Sequence, residues 1–123
     1  MMKQIGLFLF AVLLFSACNK EDETVVVQYK ASNGYSNTQI KYRDADGVLV
    51  SENVNFVGGE DIWTYSFDGK KGDIVFVSAR YYDSNSSITL QILLDGKIFK
   101  EATSINETDE ILTISGTIPY YNE

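Results

Sequence analysis

The sequence predicts an all-β protein, a single antiparallel β-sandwich of seven or eight strands. Three observations carry this. Apolar residues alternate with polar ones at a period of two over many short runs, and no long stretch has the helical period. Gly, Asp and Asn clusters punctuate those runs about every 8–12 residues, as strand-and-turn folds require. The chain has 123 residues, enough for one ordinary domain and not two.

Each strand is legible from its own residues. Val25, Val27 and Tyr29 alternate with Val26, Gln28 and Lys30, giving a first strand. Ile40 and Tyr42 alternate with Gln39, Lys41 and Arg43 in a half-buried second one. Asp44-Ala45-Asp46-Gly47 is a turn, because Asp bonds locally to backbone N–H groups and Gly accepts a positive φ. Val48 to Phe56 is a third, less regular strand, ended by Gly58-Gly59. Trp63, Tyr65 and Phe67 alternate with Ile62, Thr64 and Ser66, which directs the rings into the core and predicts a largely buried Trp63. Asp68 to Asp73 reads as a charged turn. Ile74 to Ala79, almost without polar interruption, suits a central strand covered on both faces. Ile88, Leu90, Ile92 and Leu94 form one face of the next strand. Asp95-Gly96 then turns the chain into Lys97–Ala102 as a hairpin. Glu110 to Ile118 closes the set, with Leu112, Ile114 and Ile118 facing inward.

The first seventeen residues have a different character. Lys3 precedes an apolar run from Ile5 to Phe15, then Ser16 and Ala17 lead into Cys18. This is the layout of a secretory signal peptide, with an apolar run too short for a permanent membrane span. The small residues and the Cys after them resemble the lipobox of bacterial lipoproteins. That resemblance implies cleavage before Cys18 and acylation of Cys18 with diacylglycerol and a fatty acid such as palmitate. Several acyl chains on one residue anchor a protein stably. Cys18 is the one Cys in the chain, so an internal disulfide is ruled out. Lys20-Glu21-Asp22 resembles the export signal of Bacteroidota lipoproteins, which implies transfer to the outer membrane and exposure on the cell surface. The expected organisation is therefore a signal peptide over 1–17, a lipidated Cys and acidic tether over 18–24, a sandwich over 25–119 and a tail over 120–123.

Beyond the tether, Val25 to Pro119 resembles the MmpS type of small membrane-associated protein, in its Bacteroidota lipoprotein form. The residues that carry the resemblance are Ile40 to Gly47, Trp63 to Phe67, Lys71 to Ala79, Ile88 to Lys97 and Glu101 to Ser104. It implies an immunoglobulin-like sandwich with an accessory role, docked on an envelope protein or assembly. In mycobacteria such proteins serve MmpL transporters and carry a transmembrane helix, whereas here a lipid on Cys18 is the expected anchor.

Composition narrows the chemistry. There is no His, which removes His-dependent triads and the usual zinc sites. A net charge of −7 without a basic stretch argues against nucleic acid as a partner. Asp44-Ala45-Asp46-Gly47 opens like a calcium loop but lacks the remaining ligands, so no metal site is expected. The acids fall in turns and on polar strand faces rather than as a pair flanking a cleft. No enzyme activity and no cofactor are expected. The alternative to docking is binding of a glycan or lipid-like ligand, with Tyr81, Tyr82, Tyr120 and Tyr121 as candidates for an exposed aromatic patch.

Overall fold

The computed structural model describes residues 24–58 and 60–120. The expectations for Cys18, Lys20, Glu21, Asp22 and Tyr121 lie outside the described residues. Eight strands are present: β1 (Thr24–Ser32), β2 (Asn37–Arg43), β3 (Leu49–Asn55), β4 (Trp63–Lys70), β5 (Ile74–Tyr81), β6 (Ser87–Leu94), β7 (Lys97–Ile105) and β8 (Leu112–Thr117). They form two four-stranded antiparallel sheets, β4-β1-β6-β7 (sheet A) and β3-β2-β5-β8 (sheet B). The sheets pack face to face as an immunoglobulin-like sandwich. β1 begins at Thr24, the last residue of the expected tether.

Alternation explains the core. Val25, Val27, Tyr29 and Ala31 of β1, Ile40 and Tyr42 of β2, Val75, Val77 and Ala79 of β5 and Ile88, Leu90 and Ile92 of β6 are all buried and face between the sheets. These strands are interior to their sheets, so their inner faces are covered from every side. Burying each Val, Leu or Ile among them contributes about 1.5–3 kcal/mol.

Turn chemistry sets the registers. In the β2–β3 turn, Asp44 accepts hydrogen bonds through one carboxylate oxygen from the backbone N–H of Asp46 and Val48, each at 2.9 Å, and Gly47 takes φ 80°. Asp95 and Gly96 have φ 52° and 84°, the two positive values of a type I′ hairpin, and join β6 to β7.

Four sequence expectations are corrected. Gly69 does not turn: β4 runs on to Lys70, and Gly69 lies buried opposite Val25. A Cβ there would come within 2.9 Å of both Ile118 and Val27, so glycine serves close packing rather than a bend. β7 extends beyond Ala102 to Ile105, because Thr103 and Ser104 go on pairing with Thr89 and Ile88. The outward face of β5 is covered only in part; Ile74 is exposed and Phe76 half-buried, while Ser78 is buried. Trp63 is half-buried rather than largely buried, since β4 is an edge strand and the indole packs at the rim of the core.

The antiparallel arrangement gives the sandwich two distinct ends. Thr24, the β2–β3, β4–β5 and β6–β7 turns and residues 118–120 make the proximal end. The β1–β2, β3–β4, β5–β6 and β7–β8 loops make the distal end. No helix among the described residues is long and apolar enough to cross a membrane.

Candidate functional site

Of the tyrosines expected to make an aromatic patch, the three described ones, Tyr81, Tyr82 and Tyr120, do not come together. Tyr81 points inward from β5 and is 2% exposed. Its hydroxyl pairs with Ser104 Oγ at 2.9 Å and accepts from the Glu107 N–H at 2.8 Å, which makes it a strut beneath the β7–β8 loop. Tyr82, one position on, is outward and 63% exposed at the distal end. Tyr120 is 68% exposed but sits at the proximal end, beside Gly72. The patch fails because a strand sends consecutive residues to opposite faces, and because β5 and β8 finish at opposite ends.

Five other aromatic residues, Tyr29, Tyr42, Trp63, Tyr65 and Phe67, meet inside instead. Tyr42 lies 4.6 Å from Tyr65 and 5.3 Å from Trp63 between ring centroids, and Tyr29 lies 5.7 Å from Phe67. The rings tilt against one another, the favoured arrangement for aromatic pairs. They fill the side of the sandwich between the edge strands β4 and β3, whereas β7 and β8 come close at the opposite side. Glu52, on the inward face of β3, accepts from the Tyr42 hydroxyl at 2.7 Å and from Trp63 Nε1 at 3.2 Å. Both carboxylate oxygens are thereby taken up by the cluster, so Glu52 ties the sheets together.

Burial, foremost, pushes the Tyr29 phenol up to about 12, and also the Tyr42 phenol, where the Glu52 carboxylate adds to the effect. Tyr29 donates to the Arg43 carbonyl at 2.7 Å and accepts from the Phe76 N–H at 3.3 Å, which links sheet A to two strands of sheet B. These are structural phenols, held neutral through the physiological range.

The distal end has another organisation. Ser86, fully buried, is the node at which three loops meet. Its N–H donates to the Asp83 carbonyl, its carbonyl accepts from Asn106, and its Oγ accepts from the Tyr35 N–H at 3.2 Å. The Ser36 carbonyl accepts from the Phe56 N–H, adding the β3–β4 loop to the same assembly. Around this hydrogen-bonded base, Tyr35, Val57, Ile62, Tyr82, Ile105 and Ile111 are all more than half exposed, Val57 at 81%. Nothing in the polar run Asp83 to Ser87 distinguishes Ser86 as a node; it looks like a solvated loop in the sequence.

At the proximal end, Arg43, Asp44, Asp46, Phe67 and Asp73 line an open depression of about 180 Å³. Asp44 spends a carboxylate oxygen on backbone N–H groups there, and among the described residues no three His, Cys, Asp or Glu side chains gather as a metal site would need.

The fold therefore places this chain among immunoglobulin-like β-sandwich proteins. Comparison with protein-family models and with curated proteins finds no match to the chain.

Proposed function

We propose that this protein is a non-enzymatic surface lipoprotein that docks on another envelope protein through its distal loop end. The observation that carries the reading is polarity: the chain enters the fold at Thr24, while Tyr35, Val57, Ile105 and Ile111 crown the opposite end. Acylation of Cys18 sets the proximal end against the outer membrane. Lys20-Glu21-Asp22 directs the chain to the cell surface, and the tether leaves the distal end pointing away from the bilayer. The proximal end has exposed apolar residues of its own, Val48, Leu49, Ile74 and Tyr120, which in a tethered chain face the lipid surface. Apolar side chains on a preordered base suit a protein partner, since little ordering entropy remains to be lost on binding. The resemblance to MmpS-type proteins points the same way. Glycan or lipid-like ligand binding through a tyrosine patch is the weaker reading, because Tyr81 is buried and Tyr82 and Tyr120 lie at opposite ends.

The test has two arms in intact cells. Metabolic labelling with a fatty acid should mark the full chain and not Cys18→Ala; unlabelled wild-type protein would remove the anchor. A photo-crosslinker at Val57 should capture one identified envelope protein, and Ile105→Asp should abolish the capture. Equal capture from Thr64, on the outward face of sheet A, would remove the distal interface.

A further inference from the structure

The outward face of sheet B runs against the charge of the chain that carries it. The sequence has 10 Lys and Arg against 17 Asp and Glu. Yet the outward positions of β2, β3, β5 and β8 hold Lys41, Arg43 and Arg80 and no carboxylate. The one acid on these strands, Glu52, points inward to Tyr42 and Trp63.

Register sets this face in cross-strand rows. Asn53, Gln39 and Arg80 form one, and Ser51, Lys41, Ser78 and Thr113 form the next. Strands lie about 4.8 Å apart and successive rows about 7 Å apart. Lys41 and Arg80 are thus diagonal neighbours, roughly 7–8 Å from each other. Like charges at such positions repel, and the face supplies no acid to relieve them. Arg80 Nε is buried without a hydrogen-bond partner. The guanidinium carbon lies 5.2 Å from the Tyr82 ring centroid, which holds the group over the sheet. Gln39, Lys41, Ser78 and Arg80 line a depression of about 60 Å³.

We propose that this face binds an extended anionic polysaccharide, with acidic groups of the sugar chain on Lys41 and Arg80 and its hydroxyls on the flanking amide and hydroxyl side chains. The inference rests on other observations than the docking reading, although Ile111 at the edge of the distal surface also lines this depression. The pairing follows from the chemistry of the rows. The Asn53 and Gln39 amides and the Ser51 and Thr113 hydroxyls both donate and accept, as a polyol requires, whereas Ser78 is buried beneath them. A protein partner would draw its affinity from buried aromatic and aliphatic anchors; the middle of this face offers mainly Phe76, itself half-buried. A nucleic acid carries a charge every ~1.7 Å of duplex and meets an acidic protein here. A sugar acid with one carboxylate per residue presents a sparser charge, and screening over about 8 Å confines the interaction to the local cations.

Affinity electrophoresis of the full-length chain in detergent tests this, with polygalacturonate as the anionic probe and dextran as the neutral one. Wild type should be retarded by polygalacturonate and not by dextran. Lys41→Gln combined with Arg80→Gln should weaken retardation at least ~10-fold, through loss of two charge-assisted contacts. Lys70→Gln with Lys71→Gln makes the same charge change in the β4–β5 turn and should leave retardation intact. Lys41→Gln alone, at an exposed position, should give a partial loss and guards against misfolding of the double variant. Unretarded wild type at low salt, or equal losses in both double variants, would overturn the proposal. Competition by poly-glutamate as strong as by polygalacturonate would also overturn it, assigning the face to an acidic protein segment.

Discussion

The Glu52 carboxylate accepts the Tyr42 hydroxyl at 2.7 Å on the inward side of an edge strand, a place where apolar residues are the rule. Val50 and Val54 flank it with the same inward parity. An inward-pointing charge on an edge strand opposes edge-to-edge pairing with another chain, because a partner strand would have to bury it. Here the same carboxylate also holds Trp63 of the facing edge strand, so one residue guards the edge and closes the sandwich.

Replacing Glu52 by Ala strips an acceptor from both Tyr42 and Trp63. An unpaired buried donor costs about 1–3 kcal/mol, and the Tyr42 hydroxyl is the more deeply buried of the two. Glu52→Ala should therefore lower unfolding stability by about 1–3 kcal/mol in urea titration, with a shift in Trp63 emission. Glu52→Gln, which keeps one acceptor oxygen and puts an NH2 donor in place of the other, should fall between. A Glu52→Ala protein as stable as wild type would show that the cluster is held by ring packing alone.

Alkaline stability follows from the two buried phenols. Tyr29 and Tyr42 are raised from 10.0 to about 12 in the fold, chiefly by burial. Above pH 10 the unfolded chain ionises its tyrosines while these two stay protonated in the folded state. The unfolded state then binds fewer protons, so stability falls with rising pH. Their contribution should be intact below about pH 10 and be lost progressively toward pH 12. Thermal melts across that window should show the decline, and tyrosinate absorbance should show two phenols ionising only as the fold is lost. Ionisation of all tyrosines near 10 without unfolding would contradict the burial.

Local chemistry was readable from the sequence, and relationships between distant residues were much less so. Asp95-Gly96 specified its hairpin because two positive φ values are a property of those two residues. The strands β1, β2 and β6 were plain because alternation needs only neighbours. Gly69 reads as a turn residue, since its need for glycine comes from Ile118 and Val27, distant in sequence. Trp63 reads as fully buried because sequence does not mark β4 as an edge. Tyr81 carried a usable signal: it shares the parity of Val75, Val77 and Ala79, which already fixes it inward. Glu52 shares the parity of Val50 and Val54 in the same way, yet a lone acid reads as solvated until its partners Tyr42 and Trp63 are known. The cation face of sheet B likewise arises only when β2 and β5 are placed side by side.

Ser86 tests whether the distal end is held in advance of binding. Its Oγ accepts from the Tyr35 N–H, whereas its backbone carbonyl, which a substitution leaves in place, accepts from the Asn106 N–H at 2.9 Å. Ser86→Ala therefore removes both Oγ bonds, the one from the Tyr35 N–H and the one to the Ser87 carbonyl, and keeps the backbone bond with Asn106. Stability should fall by about 1–2 kcal/mol, from a net worth of about 1 kcal/mol per hydrogen bond. Amide hydrogen exchange should separate the two partners: faster at Tyr35, unchanged at Asn106. If the distal loops act as a preordered docking surface, the freed β1–β2 loop must be re-ordered on binding, and crosslinking from Val57 should weaken though Val57 itself is untouched. Faster exchange at Tyr35 with undiminished crosslinking would show that the partner does not rely on this loop, and would move the interface toward Ile105 and Ile111.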